Sequence, residues 1–111
     1  MEESILRVRI IVDLVGALLG NISPHVRAIC LDWQINDWIK LRFYLDKEPD
    51  EVEKELVSII WTEFESNLHT NDIHFTNCLD EIIYSKEPFN QLDHLKMTVF
   101  WRSELPVFEQ N

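Results

Sequence analysis

The strongest constraint on the fold is a stretch of alternating residues, WIKLRFYL, which runs from Trp38 to Leu45. In a β-strand successive side chains point to opposite faces, so alternation assigns every second residue to the same face. One face of this stretch is entirely apolar: Ile39, Leu41, Phe43 and Leu45. The other face carries mixed side chains: Trp38, Lys40, Arg42 and Tyr44. The pattern therefore predicts a strand whose apolar face is buried beneath another layer.

A hairpin and two helices are predicted around this strand. The upstream run VRAICLDWQ is joined to it by the short, turn-prone sequence IND at positions 35–37, which predicts a β-hairpin. Helical spacing of apolar residues occurs from Ser4 to Leu19 and again from Pro49 to about Leu68. The first helix presents Val8, Ile11, Val12, Val15, Leu18 and Leu19. The second presents Val52, Leu56, Ile60 and Phe64, widened by Val57, Trp61 and Leu68.

Two further strand-like runs follow the second helix. They are DIHFTNCLDEIIYS at 72–85 and HLKMTVFWR at 94–102, and the KEPFNQLD between them is a polar connection whose proline would stop either strand. The element order α-β-β-α-β-β predicts an α+β fold, with one four-stranded antiparallel sheet and two helices packed on one face. A chain of 111 residues fits a single domain, 1–111. We expect Ile39, Leu41 and Phe43 to face both helices.

The chain is strongly acidic, with 20 acidic residues, 10 basic residues and a formal charge of -10. Proteins that bind nucleic acid directly neutralise phosphates with clustered lysine and arginine, so this balance argues against a nucleic-acid partner. It suits a cationic protein partner instead. The simpler alternative is that the charge only keeps the protein in solution.

The N-terminal region and the cysteines indicate a cytoplasmic protein. The apolar run IIVDLVGALLG is preceded by MEES and is interrupted by Asp13, which fits neither a signal peptide nor a membrane span. Cys30 and Cys78 match no C-x-x-C pattern, so we expect two buried thiols in a reducing compartment.

No catalytic, metal or cofactor site is predicted. The sequence HTNDIH brings His69, Asp72 and His74 together, but their spacing matches no recognised metal motif. With only two glycines in the chain there is no phosphate-binding loop. No general base is indicated for Cys78. We therefore expect a protein that is not an enzyme.

The stretch from Ala17 to Phe64 resembles a family of small bacterial α+β immunity proteins. These are cytoplasmic antidotes of contact-dependent growth inhibition and related polymorphic toxin systems. The resemblance lies in LLGNISP, in VRAICLDW ending at Trp33, and in LRFYLDKEPDE. It implies a non-catalytic protein that binds and neutralises one cognate C-terminal toxin domain, and many such toxins are basic nucleases.

The expected toxin-facing surface is the acidic stretch from Asp46 to Glu65, where eight acids against two lysines leave six net negative charges. Because the apolar side of the second helix must face the sheet, most of these carboxylates should face solvent. The predicted contact residues are Asp46, Glu48, Asp50, Glu51, Glu53 and Glu55. Trp33 and Trp38, near the turn with Asp32 and Asp37, are the predicted short-range anchors.

Two other functions remain open on the sequence. One is a small-ligand protein or enzyme whose pocket lies between sheet and helices and uses His74 or Tyr44. The other is an acidic adaptor or homodimeric module that uses the exposed sheet face, where Lys40, Arg42, Tyr44 and Arg102 are also the next predicted docking surface. The sequence leaves the oligomeric state undetermined.

Overall fold

The computed structural model describes residues 2–104. Its helices and strands are α1 (Glu3–Leu18), β1 (Val26–Gln34), β2 (Trp38–Leu45), α2 (Glu51–Thr70), β3 (Asn77–Tyr84) and β4 (Met97–Trp101). One short 3-10 helix, Phe89–Gln91, lies between the last two strands. The structure confirms the predicted α+β class and the main order of helices and strands.

The four strands form one mixed sheet in the order β3-β2-β1-β4. β1 pairs antiparallel with both β2 and β4, as the hairpin prediction required for the first pair. β3 instead runs parallel to β2, with Phe43 opposite Ile82. The prediction of a wholly antiparallel sheet is therefore wrong. The reason is that α2 carries the chain back across the sheet, so the next strand starts at the same end as β2.

The start of α2 follows from local chemistry. Pro49 precedes the helix, and the Asp50 carboxylate accepts a hydrogen bond of 3.0 Å from the Glu53 N–H. An aspartate at this position satisfies one of the N–H groups that a helix end leaves without a partner. The predicted start of the second helix is confirmed.

The core lies between the helices and the apolar face of β2. Ile39, Leu41, Phe43 and Leu45 are all fully buried, which confirms the predicted orientation of this strand. They pack in one cluster with residues of both helices, among them Ile10, Leu14, Val57, Ile60 and Phe64.

The two helices do not present all of the apolar residues that were predicted to face the core. α1 buries Leu6, Ile10, Asp13, Leu14, Ala17 and Leu18. Val8, Val12, Val15 and Leu19, predicted to be buried, are 58, 54, 44 and 73% exposed. On α2, Val52 is also exposed, at 67%. The α1 prediction is wrong for these four residues and right for Leu18, because this helix is apolar on two sides and spacing alone does not say which side meets the sheet.

The connection between β3 and β4 covers part of the second sheet face. Leu92 and Tyr44 are buried there in a small cluster with Ala28 and Cys30. The Tyr44 hydroxyl donates a 2.8 Å hydrogen bond to the backbone carbonyl of Asp93. A segment predicted only as a polar linker thus supplies a partial third layer. Cys78, predicted to be buried, is exposed on β3.

Phe43→Ala tests the assignment of the sheet faces. Removing this fully buried ring should lower the free energy of unfolding by about 3 to 5 kcal/mol, because a cavity replaces the lost contacts. Chemical denaturation measures the change. Val52→Ala on the exposed side of α2 is the control and should stay within about 0.5 kcal/mol of the parent. Equal stability of the two variants would mean that the faces are assigned backwards.

Candidate functional site

The main candidate site is a surface groove of about 500 Å³ beside the first turns of α2. Its walls are the loop from Gly20 to His25 and the start of α2. The other lining residues are Lys47, Asp50, Val52, Glu53 and Leu56. We refer to it as the α2 groove.

The loop that forms one wall of the α2 groove is held in place by hydrogen bonds. Gly20 has φ of 79°, a left-handed conformation that suits glycine at a helix end. Ser23 Oγ donates a 2.6 Å hydrogen bond to Glu53 Oε1 and accepts one of 3.0 Å from the His25 N–H. The loop is therefore fixed to α2 across 30 residues of sequence.

Glu53 is a structural residue rather than a contact residue. It is only 3% exposed, and its carboxylate accepts the hydrogen bond from the Ser23 hydroxyl. The expectation that its carboxylate faces solvent is wrong, because the buried side of α2 takes in this one acid together with the apolar residues. Sequence periodicity could not show that a serine 30 positions upstream would satisfy it.

Asp50 combines two roles at the edge of the groove. It caps α2, and it accepts a 2.8 Å hydrogen bond from Lys47 Nζ. The hydrogen bond from the Lys47 ammonium lowers the pKa of the Asp50 carboxyl below its ordinary value, and the hydrogen bond from the Glu53 N–H adds a smaller effect in the same direction. Asp50 is exposed, so this carboxylate is charged and reachable from solvent at neutral pH.

Asp46 lies in a cluster of ion pairs at the end of β2. Arg102 donates to it at 2.7 Å, and His25 Nδ1 lies 3.0 Å away. Burial raises the pKa of the Asp46 carboxyl, but the hydrogen bonds from Arg102 and His25 outweigh burial and leave the pKa lowered. The charge of Asp46 is therefore largely neutralised within the fold.

A second ion pair adjoins this cluster. The Arg27 guanidinium donates two hydrogen bonds to Glu104, of 2.7 and 2.9 Å, and a third to the Ser85 carbonyl. The Arg27 side chain is 7% exposed and the Glu104 side chain 25%. The bonds join the beginning of β1 to the segment after β4 and to the end of β3. A planar guanidinium suits such a paired contact.

Three further predicted acids lie next in sequence to residues that line the α2 groove. Glu48, Glu51 and Glu55 are all exposed. Glu51 lies 3.7 Å from Lys54 but is 94% exposed, whereas Glu48 and Glu55 have no ion-pair partner within residues 2–104. Residues three and four apart share a helix face, so Glu51 and Val52 both lie beside Glu55. The result is an exposed valine flanked by carboxylates.

The two tryptophans predicted as anchors occupy different environments. Trp33 is 2% exposed and packs in the core, with Lys96 Nζ 4.0 Å and Arg7 Cζ 5.5 Å from its ring centroid. Trp33 therefore offers almost no surface to a partner, because the hairpin turns this ring toward the helices. Trp38 is half-buried on the other sheet face, beside a depression of about 320 Å³ with Lys40 and Leu79.

The hairpin-end residues are separated from the α2 groove. Asp37 is exposed in the turn, and Asp32 accepts a 2.8 Å hydrogen bond from the Trp33 N–H. Trp38 begins β2 and Asp46 follows its end, eight residues later, which corresponds to roughly 26 Å of extended strand. The ten predicted contact residues thus do not form one site.

The residues of the alternative ligand site are also apart. His74 is exposed and pairs with Asp72 at 3.1 Å, and its ring centroid lies 4.7 Å from that of His69. Tyr44 lies on the opposite face of the sheet beneath the β3–β4 connection. No group of three His, Cys, Asp or Glu side chains suitable for a metal is found within residues 2–104.

The remaining polar sheet face is internally paired. Arg42 contacts Glu81 at 3.0 Å and Asp93 at 3.2 Å, and Lys40 lies 3.4 Å from Glu81. Each cation on this face has an acidic neighbour, so the face carries little free positive charge.

A second groove, of about 650 Å³, was not predicted. It lies between α2 and the edge strand β3 and is lined by Trp61, Cys78, Asp80 and Ile82 among others. Its existence depends on the parallel placement of β3, for which the strand pattern held no signal.

Within residues 2–104 the most distinctive surface feature is the α2 groove with the exposed acids next to it. Comparison with known families gives the class of protein. The chain belongs to the MafI2 immunity protein family, whose model matches residues 7–104. The expected membership of a small bacterial immunity-protein family is confirmed. No curated protein matches the chain. Neither helix of the described chain has the length and apolar content that a membrane span requires.

Glu53→Ala separates a structural acid from a binding acid. The substitution leaves the buried Ser23 hydroxyl without its acceptor, so the free energy of unfolding should fall by about 1 to 3 kcal/mol. Glu51→Ala, on the same helix but exposed, should change it by less than about 0.5 kcal/mol. Urea denaturation of both variants decides the matter. Similar stabilities would mean that the buried hydrogen bond contributes nothing.

Glu104→Gln tests the pH dependence of the Arg27 ion pair. The hydrogen bond from Arg27 is the main reason why the pKa of Glu104 lies below its ordinary value of 4.5. This stabilisation is therefore complete above that value and is lost as the pH falls through the lowered pKa. We expect a loss of about 1 to 2 kcal/mol at neutral pH, which disappears in acid. Unfolding curves at several pH values measure it. A gap that stays constant across pH would contradict the assignment.

Proposed function

We propose that the protein neutralises a basic toxin domain, of nuclease type, by binding it with the α2 groove and its exposed carboxylates in the bacterial cytoplasm. The observation that carries the proposal is a groove held by hydrogen bonds, with the exposed acids Glu48, Glu51 and Glu55 at its rim, in a chain of the MafI2 immunity family. The inhibitor acts by occupying the toxin and needs no catalysis of its own.

The exposed acids supply long-range attraction. Glu48, Asp50, Glu51 and Glu55 lie together, and only Asp50 and Glu51 have lysine neighbours. A patch of one sign steers an oppositely charged partner and mainly raises the association rate. A toxin that binds a polyanionic substrate would recognise such a patch through the same cationic residues. Its binding here would block access of that substrate.

The groove itself supplies short-range contact. Val52 is 67% exposed and Leu56 is half-buried, so the groove offers apolar surface next to the Asp50 carboxylate. An arginine or lysine of the toxin fits this combination, because its aliphatic stem packs on apolar atoms while its charged end pairs with a carboxylate.

The groove is already organised before any partner arrives. The Ser23–Glu53 hydrogen bond fixes the loop, and the Asp50 cap fixes the first turn of α2. A preformed surface loses little conformational entropy on binding, which favours tight association. An antidote benefits from both speed and tightness, since the toxin must be captured before it acts.

The reducing cytoplasm is the proposed compartment. Cys30 and Cys78 are both free thiols, one buried and one exposed. Free cysteines are typical of proteins kept in a reducing environment. A nuclease toxin would also meet its substrate in this compartment.

Neutralising three rim acids tests the proposal. In the variant Glu48→Gln, Glu51→Gln, Glu55→Gln, the association rate with the cognate toxin domain should fall by about tenfold at low salt. The difference from the parent should shrink as salt is added, because screening weakens steering. Stopped-flow or surface-based kinetics at two salt concentrations measure both effects.

A matched control changes three exposed acids elsewhere: Glu3→Gln, Asp72→Asn and Glu87→Gln. It alters net charge by the same amount and should reduce the rate much less. If both triple variants behave alike, net charge rather than the α2 groove governs association. If neither changes the rate, the toxin docks elsewhere, and the groove between α2 and β3 is the next surface to test.

A further inference from the structure

The outer side of α1 is apolar in a regular pattern. Nine large apolar residues are exposed within residues 2–104, and five of them lie on or directly after this one helix. They are Ile5, Val8, Val12, Val15 and Leu19. The spacing of three, four, three and four residues is the repeat by which one helix presents a narrow apolar seam to another helix. We call this set the α1 seam.

The α1 seam lies opposite the side of α1 that already packs on the core. Ile10, Leu14 and Ala17, on the buried side, are fully inaccessible. A helix that is apolar on both sides is normally covered on both sides. The core accounts for the inner side of α1, and the seam has no partner within residues 2–104.

Charge separates the α1 seam from the toxin-binding proposal. The exposed charges on α1 and its cap are Glu2, Glu3, Arg7 and Arg9, which cancel. The only other charged residue there, Asp13, is buried and accepts hydrogen bonds from the Asn71 side chain. A basic toxin gains no electrostatic attraction here. In a chain of charge -10, this neutral helix is a surface on which a second, equally acidic copy can approach with little local repulsion.

We propose that the α1 seam is a homodimer interface in which the α1 helices of two copies pack antiparallel around Val12. The seam is symmetric about this residue: Ile5 and Leu19 are each seven positions away, and Val8 and Val15 four and three. A twofold axis at Val12 therefore sets Ile5 against the partner's Leu19 and Val8 against the partner's Val15. Such self-matching is what an isologous contact requires.

The dimer formed in this way is weak and strengthens with salt. A 16-residue helix is about 24 Å long and offers less than the roughly 800 Å² per partner of a standard interface. We therefore expect a weak dimer, and the experiment below extends to millimolar concentration for that reason. Added salt screens the repulsion between the two acidic bodies and tightens the dimer, whereas it weakens toxin binding at the α2 groove. The two surfaces are independent, so failure of one proposal leaves the other testable.

Sedimentation velocity of the full chain, from micromolar to millimolar concentration and at two salt concentrations, tests the proposal. The parent should show a monomer–dimer equilibrium. Val12→Glu and Val12→Lys, each alone, should place two like charges at the axis and raise the dissociation constant by about a hundredfold or more. An equimolar mixture of the two variants should recover a heterodimer, because opposite charges then face each other. Val52→Glu, at an exposed valine outside the α1 seam, should dimerise like the parent.

Several outcomes would overturn the proposal. They are a parent that remains monomeric throughout, a Val12→Glu variant as dimeric as the parent, or a variant mixture that stays monomeric. A fourth is that Val12→Glu abolishes binding of the toxin domain while the parent is monomeric, since the seam would then belong to the toxin. Thermal melts of the variants confirm that each is folded, as expected for changes at an exposed position.

Discussion

The burial of one face of β2 is the constraint on which the rest of the structure depends. Its four apolar residues are fully inaccessible, and β2 lies inside the sheet with β1 on one side and β3 on the other. Covering this face takes both helices. Since α2 directly follows β2, it crosses the sheet as it covers the face and delivers β3 parallel to β2. The mixed sheet, the groove beside β3 and the outward position of the acidic helix surface all follow.

The acidic residues divide into two groups with different physical roles. Glu53, Asp46 and Glu104 are bound by Ser23, by Arg102 and by Arg27, and they hold the loops and strand ends together. The exposed acids of the first turns of α2 are not needed for such contacts. A high negative charge is therefore not one uniform property of this protein. Part of it stabilises the fold through hydrogen bonds and ion pairs, and another part is exposed to solvent.

Two surfaces with opposite character result from this arrangement. The α2 groove combines free carboxylates with an exposed valine and is suited to a cationic partner. The α1 seam is apolar and locally neutral and is suited to a second copy. Both surfaces lie on helices whose inner sides pack in one core. The packing that stabilises the fold therefore leaves two chemically different outer sides exposed to solvent. An immunity protein that uses both surfaces would bind its toxin as a dimer.

The features that depend on residues close together in the chain were predictable from the sequence. Alternation identified the buried face of β2, the IND turn identified the hairpin, and Pro49 identified the start of α2, because each follows from contacts within a few residues. The resemblance in Ala17–Phe64 also pointed to the immunity family that the comparison confirmed. The solvent exposure of Glu48, Asp50, Glu51 and Glu55 also agrees with the expectation drawn from the helical spacing of α2, whereas their role as contact residues stays a prediction.

The features that depend on residues far apart in the chain could be seen only in the tertiary structure. Both sides of α1 have apolar spacing, and packing against the sheet determines which of the two is buried. The local sequence does not distinguish Glu53 from Glu51, but the Ser23 hydroxyl donates a hydrogen bond to Glu53 alone. Trp33 is buried because the hairpin points it at the helices, and the 86–93 connection is a covering layer because Tyr44 and Arg42 bind Asp93. Local patterns specify which elements form, whereas the packing of elements far apart in the chain specifies which of their faces remain free.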